Sequence, residues 1–286
     1  MSPQQFRSGG RALAFAEYGD EHGFPVLFFH GNPGSRLSAS LLDETARAVG
    51  VRLIAPDRPG IGRSEPQADR SISEWGTDVA ALVDALDPDA YSIVGYSAGG
   101  PYALACAADP QGDDRLEAVG LLGGVGPPAA PRGDMQATNR IVFAASRLVP
   151  WVLEPAFGLQ VRLVDRRPPS FVTQLYSERD IGSLPDQIDP EVAETVKRDF
   201  METFAAGAEG VAHESILLTR PWEFELSAVE VPVVCRYGGA DRNVPPAHGE
   251  YVAEKVPTGE LTIVPDTDHL ELLTEQGGRL LSAVAR

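Results

Sequence analysis

The stretch Tyr91-Ser-Ile-Val-Gly-Tyr-Ser-Ala-Gly-Gly100 decides how this chain is read. Tyr91–Val94 is a short apolar run of the kind that forms a buried strand, and Ala98–Ala108 reads as a helix. Between them lies Gly95-Tyr-Ser-Ala-Gly99, the spacing G-x-S-x-G. A turn this sharp needs glycine wherever a side chain would collide with neighbouring backbone. The expectation is a Ser97 held in a strained conformation, its Oγ exposed above a sheet. The following helix N-terminus favours negative charge developing there.

Working outward, Pro25–Phe29, Val51–Ala55, Leu116–Leu122, Val231–Tyr237 and Leu261–Val264 also read as strands. Helical stretches alternate with them: Leu37–Val49, Trp75–Leu86, Ala247–Lys255 and Leu270–Ala285. That alternation predicts β-α-β units on a parallel sheet. Arg11–Tyr18, reached through the Gly9-Gly10 turn, reads as an antiparallel strand near the start. The alternation stops between about Pro127 and Pro221, where Ile141–Leu153 and Pro190–Ala206 show helical periodicity and no strand is convincing. The expected organisation is a core of residues 1–126 and 222–286 with a helical cap of 127–221 inserted.

A serine hydroxyl is a weak nucleophile and needs a base. Of the five histidines, His269 follows the last strand in Pro265-Asp-Thr-Asp-His-Leu270, at the sheet edge where Ser97 is expected. His22 reads as a solvated turn residue, His213 as a cap residue and His248 as structural. Asp241, in Gly238-Gly-Ala-Asp-Arg-Asn-Val-Pro245, follows a strand at that same edge and precedes His269. The loop Leu122-Gly-Gly-Val-Gly126 carries no carboxylate, which favours Asp241 as the orienting acid. Asp266 and Asp268 flank the base and read as loop or capping residues. Two backbone donors for an oxyanion are expected from Ala98 N–H and from Asn32 N–H in His30-Gly-Asn-Pro-Gly-Ser35. In Asp57-Arg-Pro-Gly-Ile-Gly-Arg63, Asp57 and Arg58 are placed to orient the oxyanion loop, though Asp57 reads rather as a turn residue, and Arg58 or Arg63 is an alternative contact for an anionic substrate.

Composition limits the partners. The net charge is -17, which repels nucleic acid and anionic membranes. The N-terminal residues show no secretory signal, and no run reaches the length of a membrane span. Two cysteines, Cys106 and Cys235, lie in core-like segments and fit free thiols in a cytoplasmic protein. No metal-ligand constellation or dinucleotide fingerprint appears, so no cofactor or metal is expected. In the cap, Phe143, Leu148, Val149, Trp151, Leu153, Phe157 and Leu159 read mainly as packing residues. Phe143, Trp151 and Phe157 are also candidates for the substrate pocket. Arg162, Arg166 and Arg167 read as a solvated face.

Taken together, HGNPGS, DRPGIGRS, GYSAGG, GGADRNVP and DTDHL resemble the α/β-hydrolase superfamily, over nearly the whole chain. The similarity is closest to its capped branch of esterases, proline iminopeptidases, epoxide hydrolases and haloalkane dehalogenases. The resemblance implies a mostly parallel eight-stranded sheet flanked by helices, a Ser97–Asp241–His269 triad and a small-molecule substrate. Ser97 stands where epoxide hydrolases and dehalogenases carry aspartate. Asn32 stands where iminopeptidases usually carry glycine, and Asp268 where the family commonly has glycine. The expected activity is carboxylesterase-like: hydrolysis of a small or medium hydrophobic ester, thioester or lactone through an acyl-enzyme. Other readings are C–C bond hydrolysis, lyase action or perhydrolysis on the same triad, an iminopeptidase-type peptidase, or a ligand sensor.

Overall fold

The computed structural model describes residues 3–109, 111–177 and 188–285. Its strands are β1 (Gln4–Ser8), β2 (Arg11–Gly19), β3 (Phe24–Phe29), β4 (Val51–Pro56), β5 (Tyr91–Tyr96), β6 (Leu116–Leu122), β7 (Val233–Gly238) and β8 (Gly259–Val264). They form one eight-stranded sheet in the order β1-β2-β4-β3-β5-β6-β7-β8. The pairings β1–β2 and β2–β4 are antiparallel, and the other five are parallel. The expected mostly parallel sheet is therefore present. β1 is the strand that patterning alone did not show, because Gln4-Gln-Phe-Arg-Ser8 is largely polar and edge-exposed.

Central strands are apolar on both faces because helices cover both. Along β3, Leu27 and Phe29 enter one core, while Val26 and Phe28 enter the other. The first core packs against α2 (Trp75–Leu86), α3 (Gly99–Ala107) and α9 (Pro246–Lys255). The second packs against α1 (Asp43–Ala48) and α10 (His269–Val284). The stretch expected as one helix over Leu37–Val49 is a 3₁₀ turn, Arg36–Leu42, running into α1. Ser35 caps that turn by accepting from Leu37 N–H.

Between β6 and β7 the described chain is helical: α4 (Ala137–Leu148), α5 (Leu153–Asp165), α6 (Pro169–Thr173), α7 (Pro190–Thr203) and α8 (Glu209–Leu217). The expected single helix over Ile141–Leu153 is broken. Pro150 has no N–H to donate and disfavours helical geometry at Val149, whose φ and ψ are −143° and 54°. α5 and α8 were not legible as separate helices. A third apolar cluster, including Phe157, Val172, Phe200 and Val211, joins these helices to Ile61 and Leu270 of the sheet domain. Of the residues expected to pack this segment, Leu153 and Phe157 do. Leu148, Trp151 and Leu159 do not; they are 75%, 72% and 57% exposed. Arg162, Arg166 and Arg167 lie on the solvated face as expected.

Candidate active site

Ser97 lies at the tip of the turn between β5 and α3 with φ of +53°, the left-handed region. A non-glycine residue there is under local strain, held by its surroundings. Three backbone bonds hold it: Ser97 N–H donates to Leu122 O (3.0 Å), and Ser97 O accepts from Val125 N–H (2.8 Å) and Gly100 N–H (3.1 Å). The flanking glycines are required by space. A Cβ at Gly95 would stand 2.7 Å from Gly99 O, and one at Gly99 2.1 Å from Phe29 O. Gly99→Ala is therefore expected to lower stability by about 1–3 kcal/mol, as overpacking against fixed backbone does. Urea unfolding measures it; an unchanged midpoint would contradict this account of the turn.

His269 is the first residue of α10 and is 2% exposed. Its Nδ1 lies 2.6 Å from Asp241 Oδ2. Asp241 follows β7, and its Oδ1 accepts from the Asn243 and Val244 N–H groups, both at 2.8 Å. The carboxylate is thus oriented from both sides. Tyr96 stacks on the imidazole (centroids 4.8 Å apart, 26° between planes) and donates its hydroxyl to His269 O at 3.1 Å. Asp268 caps α10 by accepting from Glu271 N–H (2.9 Å), with Glu271 reaching back to Asp268 N–H. Ser177 Oγ donates to the other Asp268 oxygen at 2.6 Å. Tyr96 and Ser177 gave no signal in the sequence.

Ser97, His269, Asn32 and Ala98 all line one cavity of about 320 Å³. Ser97 Oγ and His269 Nε2 share no hydrogen bond in this geometry. Among the described residues, neither the Ala98 nor the Asn32 N–H donates to a protein acceptor. The peptide joining Gly31 to Asn32 is aimed by Arg58. Its Nη2 donates to Gly31 O (3.1 Å) and its Nη1 to His30 O (2.8 Å). A trans peptide points its N–H opposite its C=O, so holding Gly31 O on Arg58 turns the Asn32 N–H away from it.

Arg58 is in turn held by α8. Glu214 Oε1 and Oε2 accept from Arg58 Nε and Nη2 at 2.6 and 2.8 Å, and Arg70 joins Glu214 at 2.8 Å. Burial alone raises a carboxyl's pKa, but Arg58 and Arg70 outweigh it and hold Glu214 at about 2. Burial and the Arg58 charge push His30 down to about 3, so it is a neutral ring under the loop. α8, α7 and the turn after α6 also grip this loop directly. Asn32 Nδ2 donates to Ser215 Oγ (3.0 Å), Tyr176 Oη donates to Pro33 O (3.1 Å), and Asp199 Oδ1 accepts from Ser35 N–H and Oγ (2.9 and 2.6 Å).

Several expectations need correction. Arg58 and Arg63 do not reach the cavity: Arg58 is fully buried against Glu214, and Arg63 pairs with Glu202. Neither is placed to meet an anionic substrate. Asp57 is more than a turn residue. It is buried and accepts from the Arg36 N–H and guanidinium, both at 2.6 Å, and from Arg63 N–H at 3.1 Å. His248 is structural: it is buried, its Nδ1 accepts from Gly126 N–H at 2.9 Å, and burial pushes its pKa down to about 4. His213 Nε2 lies 3.2 Å from Arg70 O, and His22 is 87% exposed.

Among the candidate pocket residues, Phe143 and Phe157 line the cavity and Trp151 does not. Trp151 falls on the short turn after Pro150, which faces outward. Phe143→Ala is expected to raise KM for an aryl ester about tenfold, the loss of part of one aromatic's burial. Trp151→Ala should leave KM within about twofold and stability within about 0.5 kcal/mol. Steady-state kinetics on the pair checks both, and a larger effect at Trp151 would reverse the assignment.

The twisted, mostly parallel sheet, with a glycine-flanked serine turn and a buried His–Asp pair at its strand ends, defines an α/β enzyme with its pocket at that edge. The chain belongs to the alpha/beta hydrolase fold family, whose model matches residues 25–276. It is 26% identical over 286 residues to a 2-hydroxymuconate semialdehyde hydrolase of Pseudomonas putida, covering 94% of this chain and 90% of that one. It is 29% identical over 273 residues to the dihydrolipoyllysine-residue acetyltransferase component of the acetoin cleaving system of Pseudomonas putida; that match covers 94% of this chain and 65% of the relative's length. An alpha/beta hydrolase fold protein from Nakamurella multipartita superposes with a TM-score of 0.73 at 21% identity, over 99% of each chain.

Proposed function

We propose that this chain is a serine hydrolase cleaving a small to medium, largely hydrophobic carboxylic ester, thioester or lactone through an acyl-enzyme. The observation that carries this reading is the buried 2.6 Å Asp241–His269 contact in the wall of the cavity that Ser97 enters at a strained turn. As substrate enters, Ser97 Oγ and His269 Nε2 close to hydrogen-bonding distance, a tightening common in unliganded sites. His269 takes the hydroxyl proton, and Oγ adds to the carbonyl carbon. The oxyanion is met by the Ala98 and Asn32 N–H groups. The imidazolium, stabilised by Asp241, protonates the leaving group, and water repeats the sequence to free the acid.

Residues 127–221 act as the cap over this pocket, a role supported by the bonds from α7 and α8 to residues 32 and 35. A reducing, cytoplasmic setting is supported by two buried free thiols. Burial pushes Cys235 up to about 12 and raises Cys106 as well, so both stay protonated. Among the described residues no helix is long and apolar enough to cross a membrane.

The test is a fluorophosphonate label followed by peptide mass spectrometry, with ester and diketone panels run in parallel. The expected result is a single adduct on Ser97 together with ester turnover. Absence of an adduct on Ser97, or turnover of diketones alone, would overturn the ester reading.

A further inference from the structure

The cavity offers no counter-charge to a charged substrate. Among the described residues its wall holds no Asp, Glu, Lys or Arg side chain; its titratable groups are His269 and the phenols of Tyr96 and Tyr176. Part of the lining is apolar. Amides line it too: Asn139 and Gln136 donate to Asn243 Oδ1 at 3.0 and 2.5 Å, and Gln160 and Gln174 are also among the lining residues. Amide groups donate and accept without carrying charge.

The two phenols are bound within the wall, Tyr96 Oη donating to His269 O and Tyr176 Oη to Pro33 O, both at 3.1 Å. Tyr96 is raised well above its ordinary value, first by burial and then by Asp241, Tyr176, Asp268 and Asp199. Burial raises Tyr176 too, with Asp199 adding to it. Three carboxyl groups, Asp268 at the N-cap of α10, Asp199 on α7 and Asp241 after β7, are buried and are not among the lining residues. A substrate carboxylate in this lining would lose hydration with no counter-charge in the wall to replace it. The net charge of -17 adds to the effect by depleting anions near the entrance.

We propose that the site selects uncharged esters, thioesters or lactones carrying a neutral hydrogen-bonding group, and rejects analogues with a carboxylate in the acyl chain. The proposal rests on the hydrolytic reading above and adds the charge class of the substrate. The amide side chains meet hydroxyl, ester or amide oxygens of the bound molecule, and the apolar side chains take its hydrocarbon.

The test uses the full chain with two substrates sharing one acyl chain and leaving group, the p-nitrophenyl monoester of adipic acid and its methyl ester. At about pH 7.5 the methyl ester should be favoured in kcat/KM by at least about 100-fold. Rates within about threefold would overturn the proposal. A cationic ester of the same length turned over faster than the neutral one would also overturn it, in favour of cation selection. Gln160→Arg places a counter-charge in the lining and should shift the neutral-to-anionic ratio by at least about tenfold toward the acid. That ratio is independent of the fraction of variant that folds, and an unchanged ratio would remove this lining as the selector. If neither ester reacts and fluorophosphonate leaves Ser97 unlabelled, the hydrolytic reading itself fails. A labelled Ser97 with equal rates overturns only the charge selection.

Discussion

Ser97→Ala is expected to abolish turnover of p-nitrophenyl esters while leaving the fold intact. Knocking out the nucleophile of such a unit lowers kcat by about 10⁶, with a remainder of about 10³–10⁴ over water from oxyanion donors and binding. The substitution removes one oxygen and keeps the Cβ. The three backbone bonds that hold residue 97 at φ of +53° use only its N–H and C=O, so they survive. Ser97 Oγ makes no hydrogen bond to protein that the alanine would leave unsatisfied. Stability should therefore change by less than about 1 kcal/mol, within the range of substitutions that break no buried interaction. Paired measurements of kcat/KM and thermal midpoint decide the matter. Turnover retained above about one part in 10³ would remove Ser97 from the mechanism.

Glu214→Ala carries the second large effect, and it acts on stability first. Glu214 is fully buried, and two buried arginines, Arg58 and Arg70, close on it. Removing one member of a buried ion pair leaves uncompensated charge and costs about 3–5 kcal/mol. In a chain of this size that lowers the thermal midpoint by about 10 °C. Arg58 also loses the partner that fixes its plane, and with it the anchor on Gly31 O and His30 O. The folded fraction should therefore show a lower kcat, with KM less affected, because the Asn32 N–H, in its proposed role as oxyanion donor, acts in the transition state. A variant with unchanged midpoint and kcat would show that this network supports neither the fold nor the loop.

The same network sets part of the acid response. Glu214 is held at about 2 in the folded chain, below the ordinary 4.5, so its contribution is complete above about pH 4.5 and is lost as pH falls toward 2. His30 is pushed the other way for a base, from 6.5 to about 3, by burial and Arg58. Between those values the unfolded chain binds a proton that the folded chain does not, so stability also falls as pH drops through that window. These two contributions to melting temperature decline from about pH 6.5 downward, opposed by Asp199, which burial raises from 3.8 to about 7, so that protonating it on the way down favours the folded chain. In Glu214→Ala the further loss below about pH 4.5 should be smaller than in the parent chain.

The parts of this protein written in its sequence are those fixed by near neighbours. Gly95 and Gly99 are required by contacts within the turn itself, or with the strand beside it. The helix bounds Trp75–Leu86 followed from periodicity and match the structure. Asp241 and His269 were legible because each directly follows a strand at one sheet edge, and a parallel sheet brings all such loops together. β1 and the helices α5 and α8 were not: β1 is a polar edge strand, α5 exposes Leu159 and Leu163, and α8 buries the polar Glu214 and Ser215 beside its apolar residues, so none carries a clean pattern.

The tertiary structure alone decided which helices hold the His30–Ser35 loop and which side chains line the pocket. Arg58 meets Glu214 across 156 positions, and Ser35 meets Asp199 across 164. Contacts at that separation leave no spacing or period in the chain; they exist only once α7 and α8 have docked. Trp151 shows the same limit from the other side: its composition suited a pocket, and the break at Pro150 turned it to solvent. Residue type and local sterics are properties of short segments, whereas burial and charge pairing belong to the packed whole.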